Sequence, residues 1–134
     1  MAFPSPADDH ADKPLNLHDY LVVRPASTFF WRYVGDSMDG AGVLHGALLV
    51  IDRSLQARSG DIVVANHEGE WVIRRLIKRL PRFQLVTDPI REEVDIIEMG
   101  EDTLIWGVVA HAVNTLRPGT TRSDRYPDLS DGQG

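Results

Sequence analysis

No cysteine occurs among the 134 residues, so the chain can build neither disulfides nor a thiolate metal centre, and thiol usage says nothing of its compartment. Long apolar runs are missing as well. None approaches the roughly 20 residues that a helix needs to cross a bilayer, and the N-terminus lacks the basic-then-apolar order of a secretory signal. The expected location is the cytoplasm, with no membrane partner. Positive charge is scarce: 14 Lys and Arg stand against 20 Asp and Glu, a formal net charge of −6. Proteins that grip nucleic acid through their overall field are basic, so any contact with DNA is expected to be indirect, through a partner. His10, His18, His45, His67 and His111 lie at scattered spacings with no i, i+4 pair. With no cysteine beside them they make no recognisable metal site, and without a glycine-rich phosphate loop no cofactor is expected.

What is present fits one soluble domain with loose ends. Hydrophobic residues make up 43% and charged residues 25%, a mixture that favours neither disorder nor a membrane class, at a length sufficient for one core. Residues 1–14 hold Pro4, Pro6 and Pro14 with Asp8, Asp9 and Asp12 and read as a flexible arm. The folded domain is expected over 15–116, and the Gly, Pro, Ser, Thr and Asp of 117–134 read as a disordered tail.

Within the domain, Leu15 to Leu21 suits a short strand or a turn of helix. Thr28–Val34 is rich in aromatic and branched residues, the vocabulary of a strand. Leu48-Leu49-Val50-Ile51 suits a strand buried on both faces, and tight turns lead into Ile62–Ala65 and Trp71–Ile77; these three are expected to form a meander. Phe83–Val86, Val94–Ile97 and Leu104–Val113 complete a mainly β domain. Trp31, Trp71 and Trp106 fall inside strands and read as core or dimer-face residues. Arg74, Arg75, Lys78, Arg79 and Arg82 crowd five positive charges into nine residues, which reads as a solvated face or, alternatively, as a contact for phosphate or an acidic protein.

Five segments carry a family likeness. They are Phe3-Pro4-Ser5-Pro6-Ala7, Gly35-Asp36-Ser37-Met38, Leu48-Leu49-Val50-Ile51-Asp52, Gly60-Asp61-Ile62-Val63 and Gly107-Val108-Val109-Ala110-His111. In this order and spacing the chain resembles, from Phe3 to about Leu116, the UmuD group of the LexA-like SOS serine peptidases, which cleave themselves on a RecA filament. The resemblance implies a LexA C-terminal-like, UmuD′-like curved β-sheet domain that dimerises and carries a flexible N-terminal arm. It also implies that Ser37 stands at the nucleophile position.

In that family a lysine in a Val-Lys-Lys-Leu or Val-Lys-Arg-Leu segment is the general base, whereas here the segment is Ile73-Arg74-Arg75-Leu76. On an alternating strand Val72, Arg74 and Leu76 share a face, so Arg74 takes the place of the missing lysine and points toward Ser37. An arginine does not serve as the base: bringing its pKa from above ~12 to neutrality costs on the order of 7 kcal/mol at about 1.36 per unit. Lys78 lies roughly 13 Å further along such a strand. The family's His45 neighbourhood also differs, since Gly-Asp usually precedes the apolar strand where this chain has His45-Gly46-Ala47.

The resemblance therefore implies a UmuD′-like accessory subunit of an error-prone translesion DNA polymerase of the UmuC type (Y family), acting with RecA in the SOS response. The start at Met1-Ala2-Phe3 suggests a chain made in the already-processed form. The alternative is a self- or trans-cleaving serine peptidase with Ser37 as nucleophile and Lys13, Lys78 or a partner's residue as base. A phage-type repressor is disfavoured because residues 1–14 leave no room for a helix-turn-helix, and a signal-peptidase-like role is disfavoured by the lack of an anchor.

Overall fold

The computed structural model describes residues 14–122 and 126–131. Residues 1–13 of the proposed N-terminal arm, including Phe3-Pro4-Ser5-Pro6-Ala7 and Lys13, lie outside the described residues. Among the described residues eight strands form one sheet. They are β1 (Thr28–Val34), β2 (Leu48–Asp52), β3 (Ile62–His67), β4 (Glu70–Arg79), β5 (Arg82–Val86), β6 (Ile96–Glu98), β7 (Thr103–Val113) and β8 (Asp128–Ser130). Their order across the sheet is β6-β5-β4-β3-β7-β2-β1-β8, so the mainly β class expected from the strand vocabulary is what the chain adopts. Leu15–Leu21 resolves as helix α1 (Leu17–Leu21), capped by the Asn16 side chain, which accepts from the Asp19 N–H.

Local chemistry explains the hairpins. Glu68 and Gly69 join β3 to β4 with φ of 52° and 85°, the two positive values that a two-residue turn needs to match the twist of its strands. From β3 to β6 consecutive strands pair antiparallel. The expected β2-β3-β4 meander is not formed: β7 lies between β2 and β3 and pairs with both. Three consecutive residues of β2, Leu49, Val50 and Ile51, are 0–1% exposed, and a strand so buried needs a neighbour on each edge. β1 supplies one and the eleven-residue β7 the other.

β7 carries two register shifts, opposite Val50/Ile51 and opposite Val64/Ala65. Such bulges bend a strand and sharpen its twist. Gly107 sits between them because a Cβ there would come within 2.7 Å of Ile51 Cγ2. Alternation along β3 then divides the core over two faces. Val64 packs with Tyr33, Met38, Leu49, Ile51, Ile73 and Leu129. On the opposite face Val63 and Ala65 pack with Val72, Leu76, Leu85 and Val108.

The tail differs from expectation. Asp128–Ser130 forms β8, parallel to β1 with Tyr33 opposite Leu129, and Leu129 and Asp131 are buried. One leucine in a polar stretch suffices here because backbone pairing with β1 satisfies the polar main chain around it. Among the described residues no helix is long and apolar enough to cross a membrane.

Candidate functional site

Ser37 follows β1 in a loop that is pinned from three directions. Met38 is fully buried in the first core. The Ser37 carbonyl accepts from the Asp88 N–H at 2.8 Å, and the Asp88 carbonyl accepts from the Gly40 N–H at 2.7 Å. Only glycine allows that approach, since a Cβ at position 40 would lie 2.6 Å from the same carbonyl oxygen. Asp88 is itself held by Arg75, whose Nη2 donates to its carboxylate at 3.1 Å. At the loop's start the Gly35 N–H donates to His45 Nδ1 at 3.2 Å. The imidazole thus supplies a local acceptor in the segment where the family pattern has a carboxylate.

Strand alternation on β4 carries Arg74 inward, and the structure brings it to Ser37. Arg74 Nη1 donates to Ser37 Oγ at 3.4 Å, to the Ile73 carbonyl at 2.7 Å and to Asp131 Oδ1 at 2.5 Å. Arg74 Nε is buried with no hydrogen-bond partner among the described residues. Asp131 is the centre of the polar cluster. Its Oδ1 also accepts from the Ile73 N–H at 2.9 Å, and its Oδ2 accepts from the Tyr33 hydroxyl at 3.2 Å and from Ser37 Oγ. The Arg74 and Asp131 side chains are 8% and 0% exposed. Depriving a buried ion of such a partner generally costs about 3–5 kcal/mol.

Tyr33 completes the cluster from β1. Its hydroxyl lies 3.0 Å from Ser37 Oγ and accepts from the Ser37 N–H at 3.0 Å. Burial pushes the phenol up to about 12, and the nearby Asp131 charge adds to the rise against the opposing hydrogen bond from Ser37. A neutral phenol at ordinary pH donates protons and does not take one from serine. Lys78 does not reach the serine: its Nζ donates to the Ala57 carbonyl at 3.0 Å and lies over the Phe83 ring. Among the described residues the groups in contact with Ser37 Oγ are a guanidinium, a neutral phenol and a carboxylate that occupies the space before the hydroxyl.

Reasoning from residue type singled out Ser37 and Arg74 but missed Tyr33 and Asp131. Tyr33 read as one more aromatic of a strand. Asp131, 94 residues from Ser37, belonged to a stretch with no pattern at all. The basic cluster also proves heterogeneous: Arg74 is buried and Arg75 braces the serine loop through Asp88, while Arg79 and Arg82 are exposed. Elsewhere on the sheet, Trp31 stacks on Trp106 at 4.8 Å and Trp71 meets both edge-on. Arg53 lies over the Trp106 ring. Among the described residues no cluster of three or more His, Asp or Glu has metal-binding geometry.

The sequence matches the family described as Peptidase S24-like over residues 1–110. Protein ImpA of Salmonella typhimurium is 43% identical over 116 residues, covering 86% of this chain and 78% of the relative. Protein MucA of Escherichia coli is 40% identical over 114 residues, covering 83% of the chain and 76% of the relative. The LexA repressor of Shewanella piezotolerans is 32% identical over 113 residues, covering 84% of the chain and 53% of the repressor.

Proposed function

The chain belongs to the Peptidase S24-like family, and from that membership we propose that it is a UmuD′-like accessory subunit of an error-prone, UmuC-type translesion polymerase in the SOS response. Similarity over most of the chain to ImpA and MucA supports this reading. The observation that carries it is the guanidinium beside Ser37, where a peptidase of this kind needs a group able to lose its proton. Self-cleavage is absent in this account, and binding is the activity. The acidic net charge of −6 suits a protein whose partners, the polymerase and the RecA filament, hold the DNA.

Co-purification tests the reading. The tagged chain and its Arg74→Lys variant, each co-expressed with the UmuC-type polymerase of the same cell, are expected to retain it equally. Failure of both to retain it overturns the accessory role.

A second reading, a peptidase using another base, is favoured by the intact Gly35-Asp36-Ser37-Met38 loop and the hydrogen-bonded Ser37 hydroxyl. Incubation with purified ImpA separates the two. The chain is expected to cleave no more than its Ser37→Ala variant does, and Arg74→Lys to gain less than about tenfold, since a lone base without an open site contributes little. Cleavage that vanishes with Ser37→Ala would establish the peptidase.

A further inference from the structure

β5 joins β4 only from Arg75 onward, where Arg75 faces Val86. Residues 70–74 of β4 therefore have no strand on the side away from β3, and an unpaired edge of this kind is a template for an extended peptide. The described chain places its own residues 127–131 in the groove between that edge and β1. The Arg32 N–H donates to the Pro127 carbonyl at 2.8 Å, and the Asp131 N–H donates to the Val34 carbonyl at 3.0 Å. Between these two tethers Leu129 enters the core beside Tyr33, Met38 and Ile73. Asp131 then crosses to the β4 edge, where it takes the Ile73 N–H and the Arg74 guanidinium.

Backbone pairing, an apolar anchor and a charged pocket two residues further on are the parts of a peptide-recognition groove. Residues 116–122, which lead toward the docked segment, are all exposed. The arginine gives the pocket its specificity. Its planar guanidinium places N–H donors in a fixed geometry on a carboxylate.

We propose that the groove over Ser37 is a receptor for an extended acidic segment of the form Leu-x-Asp, and that Leu129-Ser130-Asp131 of this same chain fills it. The side chain that replaces the base is thereby the receptor for the carboxylate that covers the serine. This reading stands apart from polymerase binding, and its test involves no polymerase.

Hydrogen exchange on the full chain, read by mass spectrometry, is the first arm. Amides of 128–131 are expected to be protected, and Asp131→Asn and Arg74→Met each to speed their exchange by tenfold or more. The double variant should show no further increase, and Arg74→Lys should keep most of the protection. The amides of β3 and β7 report folding. Should a variant lose protection there too, the unaltered chain decides, because exchange at 128–131 as fast as at 117–122 overturns the proposal. The second arm is fluorescence anisotropy with a labelled peptide of residues 126–131. It is expected to bind the Asp131→Asn chain at least tenfold more tightly than the unaltered chain, and to lose that binding when Arg74→Met is added. Equal affinity for both chains, or no binding to the released groove, overturns the proposal.

Discussion

Arg74 and Tyr33 show how one residue type decides what a site does. A lysine and an arginine are both cations, but only the lysine gives up its proton near neutrality at a tolerable cost, so the exchange converts a base into a permanent hydrogen-bond donor. Tyr33 meets the same serine from the other side, and its own proton is held more tightly by the fold. Its ordinary value of 10.0 is raised to about 12 by burial first and by the Asp131 charge after it. The unfolded chain then loses this proton at lower pH than the folded one, so the contribution is full below pH 10 and disappears as pH rises through 12. Urea midpoints measured between those values should fall for the unaltered chain and fall less for Tyr33→Phe; parallel curves would remove Tyr33 from the account.

Among the elements, β2 shows how a strand is held at its end. Asp52 closes β2 while 5% exposed. Burial raises its pKa, but donors outweigh that effect and hold the carboxyl below its usual 3.8: the Ser54 hydroxyl and N–H, the Ser27 hydroxyl and Arg24. The resulting stability is present above the unfolded value and is lost as pH falls through the lower folded one. Asp52→Asn is therefore expected to lower the unfolding free energy measured in urea at pH 7, by on the order of 1–3 kcal/mol for a carboxylate with several donors. The gap to the unaltered chain should narrow as the pH falls below 4. A gap that does not change with pH would show the loss to be one of packing. Most strands were legible from their aromatic and branched residues because a strand's local preference and its burial agree. The β2-β3-β4 meander was not, because which strand fills the gap beside β2 depends on β7, some fifty residues away, and on the bulges that let it serve two neighbours.

For the molecule as a whole, the proposed accessory role includes a homodimer. Sedimentation equilibrium at micromolar concentrations is expected to give twice the 15.0 kDa chain mass; a monomer throughout that range would remove the dimer from the proposal. The sequence by itself determined the strand vocabulary, the family likeness, and the presence of an arginine where the family has its lysine, because each is written in neighbouring residues or in a period of two. Only the tertiary structure decided that Asp131 lies against that arginine. A polar stretch with one leucine has no preference of its own. It becomes ordered where β1 offers a backbone ladder, the core offers a place for Leu129, and Arg74 offers a buried charge in need of an opposite one.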